Sequence, residues 1–150
     1  MNLWRLSNYD NVQGTGGEYA SGRWHTRGHR IVYCADHPAA AVLETLVHLE
    51  IELEDLPSGF LLLQLLVPGR SRQQIGLHEL PNDWREREDT TRSLGDRWLR
   101  AGRSLSLRVP SALVPHARNV LLNPSHGAAG TIEIRSVEPF TFDPRMFNRS

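Results

Sequence analysis

The chain has 150 residues, 39% hydrophobic and 23% charged, with 17 basic side chains against 17 acidic ones. That length suits one domain, residues 1–150, with a sizeable core, and the zero net charge counts against a protein that grips nucleic acid by charge alone. Every basic residue is arginine, which excludes Schiff-base or phosphate-gripping lysine chemistry, and the single cysteine, Cys34, excludes an internal disulfide or a Cys-rich zinc cluster.

MNLWRLSNYD (1–10) lacks a charged start followed by an apolar run, so no signal peptide is expected. LWRLS (3–7) reads as a first strand, and NVQGTGGEYASG (11–22) as a glycine-rich loop. The glycines of GTGG (14–17) either bring backbone N–H groups close to a phosphate or form an ordinary loop. RWH and RIVYCA flank Gly28 and read as the two strands of a hairpin, with His25, Arg27, His29 and Arg30 decorating its turn. ADHPAAAVLETLVHLE (35–50) is the strongest helix, capped by Asp36 or His37 and opened by Pro38. At 100° per residue, Ala40, Val42, Leu43, Leu46, Val47 and Leu49 form one broad apolar arc. Glu44 falls at the edge of that arc, either as a surface carboxylate or as a half-buried one facing a cleft.

FLLLQLLVP (60–68) is a continuous apolar strand, expected to be buried on both faces and too short to cross a bilayer. A polar, irregular stretch over 69–88 precedes a second helix, 89–102, capped by Asp89 and stopped by Gly102. SLSLRVPSALVP (104–115) and NVLLNPSH (119–126) give strand and loop, and TIEIRSVEPFTFD (131–143) alternates as one or two closing strands. The order predicts an α+β fold with a mixed or antiparallel sheet. No membrane contact is expected, and the cytoplasm is the expected location.

The motifs for familiar chemistry are weak. His25 and His29 flank a glycine rather than share a helix face, and no HExxH, P-loop or GxSxG occurs. Cys34 sits in an apolar strand, where a thiol is ordinarily inert packing. Ser111, after a proline, either caps a turn or bonds a ligand.

An ordered series carries more. GRW (22–24), VY (32–33), AAAVLETLVHL (39–49), VPSALVP (109–115) and NVLLNP (119–124) together resemble the RES domain, named for an arginine, a glutamate and a serine, here Arg23, Glu44 and Ser111. The resemblance runs from residue 3 to about 126. It implies the toxin of a bacterial toxin–antitoxin pair, with a fold similar to diphtheria-toxin-like ADP-ribosyltransferases and NAD⁺ as substrate. Three outcomes occur in such proteins: hydrolysis, phosphorolysis with inorganic phosphate, or ADP-ribosyl transfer to a protein. Each starts by breaking the nicotinamide–ribose bond, and none calls for a metal.

By that resemblance Glu44 stabilises the oxocarbenium-like ribose, Arg23 holds the pyrophosphate through its fork, and Tyr33 stacks on the nicotinamide. Ser111 and Asn119 line the pocket or brace Glu44 and Arg23, and Arg5 is a second phosphate contact. One departure is that Glu44 reads as helical, whereas ADP-ribosyltransferases usually carry the glutamate on a late strand. The implied partner is an Xre-type helix-turn-helix antitoxin whose tail plugs the site, with a toxin homodimer inside the complex and any DNA contact left to the partner. The competing reading from another class is a non-catalytic RNA-binding module using the Arg/aromatic stretch.

Overall fold

A computed structural model describes residues 1–49 and 58–147. The chain runs β1 (Asn2–Ser7), α1 (Gly16–Tyr19), β2 (Val32–Ala35), α2 (Pro38–His48), β3 (Phe60–Leu66) and β4 (Arg72–Gln74). It continues through α3 (Glu88–Ala101), β5 (Ser106–Pro110), β6 (Arg118–Leu122) and β7 (Glu133–Phe140), with short 3₁₀ turns between. The strands form one seven-stranded sheet in the order β4-β5-β6-β2-β1-β3-β7. Only β4 and β5 pair in parallel among the described strands. The sheet is therefore mixed and the class α+β, as the element order predicts.

Leu3, Val32, Cys34, Leu63, Leu65, Val67 and Val120 form the central cluster under the sheet. Each fully buried aliphatic side chain there contributes about 1.5–3 kcal/mol. β3, expected to be buried on both faces, is so only in part. Leu63, Leu65 and Val67 are fully buried, while Leu62, Gln64 and Leu66, on the other face, are half-buried.

α2 begins at Pro38, and His37 caps it by accepting a hydrogen bond from the Ala39 N–H at 3.0 Å on its Nδ1. Its expected last residue, Glu50, lies outside the described residues. The apolar arc is narrower than the periodicity predicts. Ala41 and Val42 are buried, Leu46 and Leu49 pack beside them, and Leu43 and Val47 remain exposed. The helix rests on β1 and β2 by its small residues. This leaves Val47 at the edge of a cleft.

The hairpin around Gly28 does not form. β2 is real, but its expected partner is a loop closed by a single bridge between Gly22 and His25. A hairpin strand alternates one side chain in and one out. Trp24 and His25 are both buried, at 1% and 2% exposure, because this segment is pressed between α3 and the sheet.

α3 makes that possible. Its Thr91 hydroxyl donates to the Arg23 carbonyl, its Asp96 carboxylate accepts from the Thr26 N–H at 2.8 Å, and Arg92 Nε donates to the Gly22 carbonyl at 2.8 Å. Trp24 packs on Trp84 with ring centroids 6.1 Å apart. Asp89 does not cap this helix. The cap position is Arg87, without a side-chain bond, and Asp89 lies in the first turn, where its charge still suits the helix dipole. Gly102 stops the helix as expected, at φ +61°.

Candidate active site

Glu44 projects from the middle of α2 into a cleft of about 670 Å³. Its Oε1 receives two hydrogen bonds, from the Ser111 hydroxyl at 2.8 Å and from Asn119 Nδ2 at 2.9 Å. Ser111 is buried at the end of β5, and its oxygen also accepts the N–H groups of Leu113 and Val114 at 3.1 and 3.2 Å. With donors on its lone pairs, the hydroxyl proton has one place to go, Glu44 Oε1. Oε1 is thus fully engaged, and no hydrogen bond among the described residues engages Oε2. The carboxylate is half-buried and faces the cleft, which settles the choice its helical position left open.

Arg5, Arg23, Tyr33 and Asn119 line the same cleft. Ser111 stands behind Glu44 rather than in the lining, so it braces the carboxylate. Arg23 donates from Nη1 to the Arg85 carbonyl at 2.9 Å, and its Nη2 faces Glu88 at 3.7 Å. Arg92, one turn along α3, also reaches Glu88, at 2.7 Å. The rim of the cleft therefore carries two guanidinium groups sharing one half-exposed carboxylate.

Arg5 comes from β1 and lies deep. Its Nη1 donates to the Tyr33 carbonyl at 3.1 Å, and its buried Nε has no partner among the described residues. Desolvation lowers its pKa from the usual arginine value. A buried cation without a carboxylate partner is costly, and an anion in the cleft would offset that cost. Burial pushes the neighbouring Cys34 thiol up to about 12, so it stays protonated and inert.

Tyr33 presents its ring to the cleft, while its hydroxyl accepts the Trp24 N–H at 3.1 Å and lies 2.7 Å from His25 Nδ1. A side chain at Gly22 would strike that hydroxyl, which is why a glycine opens GRW. Burial raises the phenol pKa well above its ordinary value, so the Tyr33 side chain stays neutral.

His25 is a neighbour of the cleft that sequence reasoning missed. Its sequence position suggests turn decoration, whereas it is buried behind Tyr33. Arg92 was also missed, because at four residues from Glu88 it reads as an ordinary helical ion pair. Arg27 stands exposed, as expected of a turn residue, and Arg30 pairs outward with Glu18 at 3.9 Å. Gly14 and Gly16, from the GTGG stretch, border a second cavity of about 220 Å³, which shares Arg5, Leu6 and Phe60 with the first. Among the described residues no group of three or more His, Cys, Asp or Glu side chains could hold a metal ion, and no helix is long and apolar enough to cross a membrane.

A family model described as the RES domain matches residues 2–143. Toxin Res of Pseudomonas putida KT2440 is 45% identical over 147 residues, covering 98% of this chain and all of that protein. The Prs ADP-ribosylating toxin of Sphingobium sp. YBL2 is 36% identical over 147 residues, 94% of this chain and 89% of that one. Among solved structures, a chain of the M. tuberculosis MbcT–MbcA toxin–antitoxin complex superposes with a TM-score of 0.71 over 97% of this chain and 85% of its own, at 15% identity. That last likeness concerns the fold.

Proposed function

This chain belongs to the RES domain family, and on that premise we propose that it is a toxin that cleaves the nicotinamide–ribose bond of NAD⁺. The observation that carries the reading is the Glu44 carboxylate, which lines the cleft and is pinned through Oε1 by Ser111 and Asn119, with no hydrogen bond on Oε2 among the described residues. When the bond breaks, its electron pair leaves with the nicotinamide nitrogen, which becomes neutral. Positive charge then develops over the ribose C1′ and ring oxygen. A fixed carboxylate that accepts a ribose hydroxyl stabilises this charge more than the ground state. Water or inorganic phosphate then donates an oxygen lone pair to C1′, giving ADP-ribose or its 1-phosphate.

Arg23 and Arg5 supply the cationic walls for the two phosphates, and the Tyr33 ring supports the nicotinamide. A cleft of about 670 Å³ lies within the ~300–1,000 Å³ range of ligand sites. An enzyme that drains NAD⁺ would harm its own cytoplasm, so we assign it an Xre-type helix-turn-helix antitoxin partner, with a toxin homodimer inside the complex. DNA contact belongs to that partner, in keeping with a formal charge of zero here.

The test is nicotinamide release by the purified chain. Glu44→Gln should lower the rate by roughly 10²–10³, the range for removing a preorganised electrostatic group, with an unchanged far-UV CD spectrum. A Glu44→Gln protein as fast as wild type overturns the assignment. Transfer to a protein is the second reading, favoured by the 36% identity to a toxin whose name says it ADP-ribosylates Prs. A discrete band after incubation with labelled NAD⁺ and lysate supports transfer. Free ADP-ribose or its 1-phosphate supports hydrolysis or phosphorolysis, and dependence on added phosphate separates those two.

A further inference from the structure

Tyr33 has a purpose-built support. His25, only 2% exposed, lies with its ring centroid 5.6 Å from that of Tyr33. Its Nε2 is 3.1 Å from the Gly17 carbonyl oxygen, and its Nδ1 is 2.7 Å from the Tyr33 hydroxyl. For a neutral imidazole these partners allow one proton arrangement. A carbonyl can only accept, so Nε2 carries the ring proton. Nδ1 of the neutral imidazole is then an acceptor, and Tyr33 must donate its O–H to it. The Trp24 N–H, at 3.1 Å, takes a lone pair of the same phenol oxygen. Burial lowers the His25 pKa, which favours the neutral ring this arrangement requires.

The chain of contacts from Gly17 through His25 to Tyr33 ends at the cleft, which Tyr33 lines. His25 itself is not in the lining, so its influence on a bound molecule passes through the tyrosine. We infer that His25 is a positioning residue, whose Nδ1 fixes the Tyr33 phenol so that the ring meets the departing nicotinamide in one orientation. This rests on the NAD⁺-cleaving reading. Its chemical basis is that a reacting group held in a single pose reaches the transition state more often than one free to tilt. His25 is thereby the third side chain of the GRWH stretch with a task at the site, after Arg23 and the buried anchor Trp24.

The test is a double-mutant cycle on the full chain, with kcat and KM for NAD⁺ and the thermal midpoint measured for each protein. His25→Leu should lower kcat roughly tenfold, the scale of one lost positioning hydrogen bond. His25→Asn, whose amide oxygen can take the place of Nδ1, should recover most of that loss. In a Tyr33→Phe background the His25→Leu change should have no further effect on kcat, because the hydroxyl through which it acts is gone. If His25→Leu does not fold, the cycle is run with His25→Gln, which keeps the Gly17 contact and withdraws the acceptor. Equal kcat losses from the His25 change in both backgrounds would overturn the inference, as would no loss in either. A wild-type protein that leaves NAD⁺ intact overturns the reading beneath it instead.

Discussion

Glu88 sits between Arg23, 3.7 Å away, and Arg92, 2.7 Å away, at the rim of the cleft. An anionic ligand that binds Arg23 must compete with this carboxylate. Because Glu88 is half exposed, its pairings are screened and are worth only about 0.2–1 kcal/mol. Glu88→Gln should therefore lower KM for NAD⁺ about two- to fivefold with little change in kcat, measured by initial rates at low salt. A raised KM would mean that Glu88 serves to hold Arg23 in place rather than to oppose the ligand. The residues of the site were legible to different degrees. Arg23, Tyr33, Glu44, Ser111 and Asn119 come from an ordered series of short motifs and the resemblance it carries, and the structure gathers them at and behind one cleft. What no periodicity carries is the clamp on Glu44, since its two donors lie 67 and 75 residues further along the chain. His25, three residues before Gly28, looks like turn decoration until α3 is laid over it.

At the scale of elements, α3 acts as a brace for the loop that carries Arg23. Gly95 is the contact point, since a Cβ there would run into the Trp24 carbonyl. The obstructing atom is backbone, so relief requires the helix or the loop to move. Gly95→Ala should cost about 1–3 kcal/mol, the range for overpacking, despite the better helix propensity of alanine. For a domain of this size that is a drop of roughly 2–10 °C in thermal midpoint, with a rise in KM as Arg23 shifts. An unchanged midpoint would mean the close approach is relieved at no cost. The two long helices, β1 and β3 were legible because caps, proline and glycine stops and apolar runs are local signals. The failed hairpin was not, because the pattern RWH…RIVYCA satisfies strand alternation locally. The burial of both Trp24 and His25 is imposed by a helix some seventy residues away, through the Thr26–Asp96 and Gly22–Arg92 contacts. The width of the arc on α2 was misjudged for a related reason. A helix packing by Ala41 and Val42 leaves Leu43 and Val47 outside, and sequence alone does not say which part of a broad arc touches the sheet.

For the whole molecule, the buried neutral imidazole links folding to pH. His25 has a folded pKa below the ordinary histidine value of 6.5, chiefly from desolvation; the backbone of Gly17 and Ala20 and the Asp96 charge oppose the shift and His29 adds to it. A base with a depressed folded pKa binds more protons when unfolded. Stability therefore rises with pH through this window. Its contribution is fully present above pH 6.5 and declines as pH falls toward and through the folded value. The slope can reach about 1.4 kcal/mol per pH unit for one proton. Asp143, with its folded pKa at about 2 beside Arg145, titrates lower still and leaves the window between pH 7.5 and 5.5 clear. Cys34, raised from 9.0 to about 12 by burial, begins to affect stability only as pH approaches 9.0, above this window. Denaturant midpoints measured at pH 7.5, 6.5 and 5.5 should fall with acidification in the wild type. In His25→Asn, which keeps a neutral acceptor at every pH, the fall should be visibly shallower. Equal slopes for the two proteins would show that His25 is free to take up a proton in the folded state, which would contradict the proton arrangement that fixes Tyr33.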